Sequence, residues 1–166
     1  MSKSENGNQW YTYVLAVVLL AAAVFLIYRN LTSSGGPSSK YFYNLETKEL
    51  ITLPVDTLSP HTLENGQVAV EALVQACGSC DSESDREIVY LMKYSDAAYE
   101  LKNRYPEQVP IEEAGPLMRP DAQLISTPEL AAKNVWYPLA SPKGNQISQI
   151  AMGTCGDGTP KKVCLP

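Results

Sequence analysis

The sequence predicts an α+β fold, with one N-terminal transmembrane helix followed by a small soluble domain that has a mainly antiparallel sheet and two to three short helices. Three features favour this fold: an apolar run without charges, short strand-like segments separated by turns, and capped helix starts in the second half. The predicted boundaries are a tail over 1–9, a transmembrane helix over 10–29, a linker over 30–39 and a soluble domain over 40–166.

The N-terminal helix is predicted from its length and composition. No charged residue occurs from Asn6 to Tyr28, and the stretch from Tyr13 to Ile27 is almost wholly apolar. A helix rises about 1.5 Å per residue, so about 20 such residues cross the hydrocarbon of a bilayer. Trp10 at one end and Tyr28 at the other suit the two membrane interfaces. The lipid bilayer is therefore a predicted partner.

Two other N-terminal signals resemble such an anchor and fit less well. A cleaved signal peptide would end its apolar run near Ala21-Ala22-Ala23, but the run continues to Ile27. A lipoprotein would need a cysteine directly after the run, and the first cysteine is Cys77. The Lys and Arg counts on the two sides are nearly equal, so the cysteine content favours a domain outside the cytoplasm.

The first half of the domain reads as strands. After the Gly/Ser-rich linker, residues 40–44 and 49–53 have the composition of a hairpin. Residues 67–75 then form a mostly apolar run that ends at Cys77, which favours a largely buried strand over a helix.

The second half combines helix and strand signals. Ser84 and Glu87 have capping-box spacing, which predicts a helix running to about Tyr94. Ser95-Asp96 and Ser141-Pro142 open two further predicted helices. Short strands are predicted around Leu117-Met118, over 123–125, and over 135–139, the last at a sheet edge because of its proline.

Four cysteines are the sharpest feature of the domain: Cys77, Cys80, Cys155 and Cys164. One interpretation is a structural metal site that holds Zn²⁺ with all four thiolates, although the C-x8-C spacing of the second pair is unusual for zinc. A second is one or two structural disulfides, for which four cysteines allow three pairings. A bridge from the first pair to the second would close a long loop.

Redox catalysis is the third interpretation of the cysteines. Cys77-Gly78-Ser79-Cys80 between a predicted strand and a predicted helix resembles the thioredoxin active-site region, and Thr127-Pro128 would match the cis-proline of that family. The resemblance implies a thiol–disulfide oxidoreductase that uses Cys77 and Cys80. The sequence departs from the family because no Trp precedes Cys77 and acidic residues follow Cys80.

The remaining residues carry few signals for catalysis. Thirteen Lys and Arg against eighteen Asp and Glu give a net charge of −5, and scattered charges of this kind argue against nucleic-acid binding. His61 is the one histidine and is expected at the surface. Walker, G-x-G-x-x-G and G-x-S-x-G motifs are absent from the sequence. A non-enzymatic role is therefore favoured.

The order of features resembles small uncharacterised single-pass proteins of bacterial envelopes. It is carried by the apolar anchor, the Gly/Ser tether, the hairpin from Tyr41 to Thr47, the Cys77-to-Cys80 motif, the predicted helix with Tyr90-Leu91-Met92-Lys93-Tyr94, the Trp136-Tyr137-Pro138 strand and the paired C-terminal cysteines. The resemblance implies this architecture and brings no activity with it. It favours binding or assembly at the membrane surface, with other membrane or envelope proteins as partners.

Overall fold

The computed structural model describes residues 6–32 and 36–166, and it divides the chain into two compact units at Gly36 and Pro37. The first unit contains helix α1, Asn6–Thr32. This helix takes in part of the predicted tail and part of the predicted linker. The rest of that tail, residues 1–5, and linker residues 33–35 lie outside the described residues.

Helix α1 confirms the predicted N-terminal helix as secondary structure. The side chains described in it are Trp10 and the run from Tyr13 to Tyr28, and all of them are exposed. Within the described part of the chain, no helix combines the length and the hydropathy that crossing a membrane requires. The transmembrane helix over 10–29 stays a prediction.

The second unit is built on one antiparallel sheet, as predicted. Among the described residues it has eight strands, in the order β2-β1-β4-β5-β6-β7, with β3 and β8 also paired to β4. The strands are β1 Ser39–Asn44, β2 Leu50–Pro54, β3 His61–Thr62, β4 Val68–Ala76, β5 Arg86–Tyr94, β6 Gln123–Ser126, β7 Tyr137–Pro138 and β8 Lys162–Val163.

Strand β4 is the centre of this sheet. It pairs with β5 along most of its length, and its other edge is shared by β1 near Val70 and by β8 near Gln75. Alternate apolar residues of β4 face one core cluster with Tyr41, Tyr43 and Leu91. Fully burying a side chain as large as valine or leucine contributes about 1.5–3 kcal/mol to the free energy of unfolding. Strand β4 therefore stabilises the domain both through the packing of its side chains and through its backbone hydrogen bonds to neighbouring strands.

Short helices connect the strands. They are α2 Asp96–Arg104, α3 Gly115–Met118, α4 Pro128–Ala131 and α5 Pro142–Gln149, with 3₁₀ turns at Glu83–Asp85, Ile111–Glu113 and Ile150–Met152. The predicted helices after Ser95 and Ser141 are confirmed. Ser141 caps α5, since its Oγ accepts a hydrogen bond from the Gly144 N–H at 3.1 Å.

The predicted hairpin, the strand before Cys77 and the strand over 123–125 are also confirmed, as β1–β2, β4 and β6. The edge strand over 135–139 is present only as the two residues of β7.

The predicted helix from Ser84 to Tyr94 is wrong, because Arg86–Tyr94 is strand β5. The Ser84 hydroxyl bonds to Ser82 and Asp85, and only the 3₁₀ turn Glu83–Asp85 forms. Ile88, Val89 and Tyr90 favour extended backbone, and both edges of β5 pair with neighbouring strands. The strand predicted around Leu117-Met118 is likewise wrong, since α3 begins with Gly115-Pro116, and proline suits a first helical turn.

Candidate functional site

The four cysteines form two disulfides, Cys77–Cys155 and Cys80–Cys164. Their Cα atoms lie 5.5 and 5.4 Å apart, which is the ordinary spacing for a disulfide. The bonds join positions 78 and 84 residues apart, so each links the Cys77-to-Cys80 motif to the C-terminal end of the chain. The sequence left three ways to pair the four cysteines. In the structure, each cysteine of the Cys77-to-Cys80 motif is bonded to one of the two C-terminal cysteines.

The Cys77-to-Cys80 turn directly follows β4. The Ser79 Oγ accepts the Asp81 N–H at 3.1 Å and donates to the Asp81 carboxylate at 3.0 Å. The Arg86 Nε donates to the Cys80 carbonyl at 2.6 Å from the start of β5. These local hydrogen bonds fix the turn between β4 and β5. The pairing of these two strands places Cys77 and Cys80 at one end of the sheet.

The C-terminal segment returns to the same end of β4. Strand β8 pairs Val163 with Gln75 and Lys162 with Ala76, and the Cys164 N–H donates to the Val74 carbonyl at 2.9 Å. The Lys161 ammonium forms an ion pair with Glu87 of β5. These contacts place Cys164 beside Cys80.

A tight turn separates Cys155 from β8. The Cys155 N–H donates to the Thr159 carbonyl at 2.7 Å, and Gly158 has a φ of 82°, a conformation that glycine adopts readily. The Asp157 carboxylate accepts both the Thr159 N–H at 3.0 Å and the Thr159 hydroxyl at 2.7 Å. The two hydrogen bonds favour the charged carboxylate, so they lower the pKa of Asp157.

The two disulfides differ in burial. Cys164 is 2 % exposed and belongs to the core cluster, against which Cys80 packs. Cys77 is exposed and Cys155 is half-buried. The Cys80–Cys164 bond therefore extends the hydrophobic core, whereas the Cys77–Cys155 bond lies at the surface.

The zinc alternative does not fit this arrangement. A cysteine sulfur in a disulfide is not a thiolate, and zinc is bound by thiolates. Within the described ranges, no group of three or more His, Cys, Asp or Glu side chains is arranged to hold a metal ion. His61 lies in β3 opposite Ala69, and the carboxylates after Cys80 belong to the turn and the 3₁₀ helix that lead into β5.

The thioredoxin-like alternative also meets a different arrangement. A C-x-x-C oxidoreductase cycles a bond between the two cysteines of its motif, but Cys77 and Cys80 are each bonded to the C-terminal segment. Thr127-Pro128, matched to the cis-proline, opens α4, where the Thr127 Oγ accepts the Leu130 N–H. Cys80 precedes a 3₁₀ turn and a strand instead of the predicted helix.

Apolar side chains are exposed on the segment before Cys155 and on both sides of Cys164. Val163 and Leu165 are 54 and 58 % exposed, and Ile150 and Met152 in the 3₁₀ turn before Cys155 are 46 and 84 % exposed. The large aromatic side chains of the sheet are less exposed: Tyr41 and Tyr43 are buried, whereas Trp136 and Tyr137 are half-buried. The exposed apolar residues carry no local motif, so sequence reasoning did not find them.

No protein family, no curated protein and no solved structure matches this chain. The resemblance to bacterial envelope proteins therefore stays an expectation.

The two bonds together close a small ring, and this makes their contributions to stability interdependent. Taken alone, a bridge across a loop of 78 residues is worth about 4.5 kcal/mol in the chain-entropy estimate. When the Cys80–Cys164 bond is already present, the Cys77–Cys155 bond closes a much smaller ring. That ring consists of residues 77–80 and 155–164, about 14 residues, and its closure is worth about 3 kcal/mol in the same estimate.

We therefore predict unequal costs for successive removal of the bonds. Replacing Cys77 and Cys155 by alanine should lower the free energy of unfolding by about 3 kcal/mol, and then replacing Cys80 and Cys164 should remove about 4.5 kcal/mol more in chain entropy, together with the packing of the buried Cys164 side chain. Urea unfolding of the full chain in detergent, followed by near-UV circular dichroism, measures both steps. The control Met152→Ala, at an exposed position, should change stability by less than about 0.5 kcal/mol. A cost near 4.5 kcal/mol for removal of the Cys77–Cys155 bond alone would contradict the ring.

Proposed function

We propose that this chain is a membrane-anchored, non-enzymatic binding or assembly protein of the bacterial envelope, with its disulfide-bonded domain outside the cytoplasm. One observation carries the proposal: two disulfides fix a C-terminal segment that presents apolar side chains to solvent. Exposed apolar groups on a rigid support are typical of surfaces that bind other proteins.

The directions of these side chains follow from the strand. Cys164 is buried, and side chains alternate along an extended segment, so its neighbours Val163 and Leu165 face away from the core. The 3₁₀ turn that carries Ile150 and Met152 is held nearby, because the buried Gln75 side chain donates to the Ala151 carbonyl at 2.9 Å. Gln75 also pairs with Val163.

We name Ile150, Met152, Val163 and Leu165 the C-terminal apolar surface. Its supporting segments are tied to β4 by covalent and hydrogen bonds before any partner arrives. A surface that is already ordered loses little conformational entropy on binding, which favours affinity. Other membrane or envelope proteins are the proposed partners.

The setting of the domain supports the same proposal. Disulfides form and persist in oxidising compartments, such as the space outside the cytoplasm of a bacterium. The apolar residues of α1 suit a single-pass anchor over 10–29, with the lipid bilayer as partner. An anchor of this kind restricts the domain to the membrane surface, which raises its effective concentration towards membrane-bound partners.

The anchor is tested by charge placement in α1. Leu19→Arg combined with Leu20→Arg should release the protein from membranes, because each arginine at the centre of a bilayer costs about 2.5–3.5 kcal/mol. The matched control places arginines at Tyr28 and Asn30, near the end of the helix, and should stay membrane-bound. The measurement is the fraction retained in membranes after alkaline carbonate washing. Complete removal of the unaltered protein by that wash would exclude the anchor.

Binding is tested by photo-crosslinking in cells of the source type. A photoreactive residue at position 163 should give one discrete adduct of higher mass, and Met152→Gln with Leu165→Gln should reduce its yield at least about tenfold by removing the apolar contact. Photoreactive residues in place of Ile111 and Met118 are the controls. These two side chains are 82 and 74 % exposed but lie outside the C-terminal apolar surface, so these positions should give no such adduct. Equal adducts at the control positions, or none at 163, would refute binding through this surface.

A further inference from the structure

The Cys77–Cys155 disulfide is more accessible to reagents than the Cys80–Cys164 disulfide. Thiol–disulfide exchange requires a thiolate to approach a sulfur of the bond. Cys77 is exposed, whereas Cys164 is 2 % exposed and Cys80 is half-buried against the core cluster. Attack at Cys164 therefore requires local opening of the structure and attack at Cys80 is hindered by the core residues that pack on it, whereas attack at Cys77 meets neither barrier.

The surface disulfide also holds a segment that has little else to hold it. The hydrogen bonds described for residues 153–160 all stay within residues 150–160, including those of Cys155 with Thr159 and with Gly158. A Cβ at Gly156 or Gly158 would meet no atom within 4 Å, which indicates open surroundings. The contacts of neighbouring segments with the sheet are made at Ala151 and from Lys161 onwards.

Strand β8, in contrast, is held in other ways. Its pairing with β4, the Lys161–Glu87 ion pair and the Cys80–Cys164 bond do not involve Cys77 or Cys155. One disulfide thus helps to hold β8 on β4 through the buried Cys164, and the other holds the loop 153–160.

We propose that the Cys77–Cys155 disulfide is a site of thiol–disulfide exchange with an external dithiol, and that its reduction frees the loop 153–160 while β8 stays in place. The loop directly follows the 3₁₀ turn of the C-terminal apolar surface and directly precedes β8. Reduction at this site changes the mobility of the segment between the two halves of that surface.

The exchange proceeds in two balanced steps. A thiolate of the dithiol attacks the Cys77 Sγ, forms a mixed disulfide and displaces the Cys155 thiolate. The second thiol of the reagent, as its thiolate, then attacks the reagent's first sulfur, which is bonded to the Cys77 Sγ in the mixed disulfide, and releases the Cys77 thiolate. The dithiol ends as a disulfide, two electrons pass to Cys77 and Cys155, and the two cysteine thiolates take up the two protons that the dithiol has lost.

The first test measures the reduction of each cysteine with time. The oxidised full chain in detergent is treated with dithiothreitol, quenched with N-ethylmaleimide at intervals and analysed by peptide mass spectrometry. Cys77 and Cys155 should be labelled together and at least about tenfold faster than Cys80 and Cys164. Labelling of all four at one rate would overturn the proposal. So would early labelling of Cys155 with Cys164, which would show that Cys77 had transferred its bond to Cys80.

A second measurement separates opening of the loop from unfolding. Hydrogen exchange at half-reduction should show lost protection within residues 153–160, with the amides of β4, β5 and β8 unchanged. Loss of protection in β8 in step with Cys77 labelling would overturn the proposal.

A matched variant tests whether the buried bond is protected by its own burial. In Cys77→Ser with Cys155→Ser, the Cys80–Cys164 bond should be reduced within about threefold of its rate in the unaltered chain, because local opening at the core still limits the reaction. Reduction of this bond as fast as that of Cys77–Cys155 in the unaltered chain would show that the surface bond keeps β8 in place, contrary to the proposal.

Discussion

The covalent connection between the end of β4 and the C-terminal segment is the constraint on which the rest of the domain depends. Strand β8 is only two residues long, and so short a pairing contributes few hydrogen bonds of its own. The Cys80–Cys164 bond and the Cys164–Val74 hydrogen bond keep it on β4 and bring the Cys164 side chain into the core. Without this connection, an apolar segment at the end of the chain would have no fixed place on the sheet.

The same connection gives the two bonds different physical roles. The buried bond adds to the core around Leu91 and Val74, so its loss combines the loss of packing with a gain in chain entropy for the unfolded state. The surface bond closes a ring that the buried bond has already made small, and it restrains a loop whose hydrogen bonds are local. The domain can therefore keep its fold through the Cys80–Cys164 disulfide while the Cys77–Cys155 disulfide is reduced or re-formed.

The parts of the fold that could be predicted from the sequence were those whose sequence signal lies within a few residues. The β1–β2 hairpin and the helix that Ser141 caps were predicted because turn composition and capping act within a few residues. The helix after Ser95 begins where it was predicted, although the Ser95 side chain makes no capping hydrogen bond. Strand β5 was missed because a local capping signal at Ser84 was overridden by pairing with β4 and β6. The cysteine pairing could not be predicted because it follows from β4–β8 pairing between residues far apart in sequence. The C-terminal apolar surface was missed for the same reason: exposure there is decided by tertiary packing.

The cross-linking of the two cysteine pairs to each other is tested most directly by mapping the disulfides of the protein isolated from cells in the presence of N-ethylmaleimide. Digestion without reductant should release peptides joined as Cys77 to Cys155 and Cys80 to Cys164, with no labelled thiol. The Cys77-to-Cys80 turn must be cleaved between its cysteines to resolve the two bonds, and partial acid hydrolysis or fragmentation of the linked peptides in the spectrometer does this. Bonds from Cys77 to Cys80 and from Cys155 to Cys164, or four labelled thiols, would contradict the account.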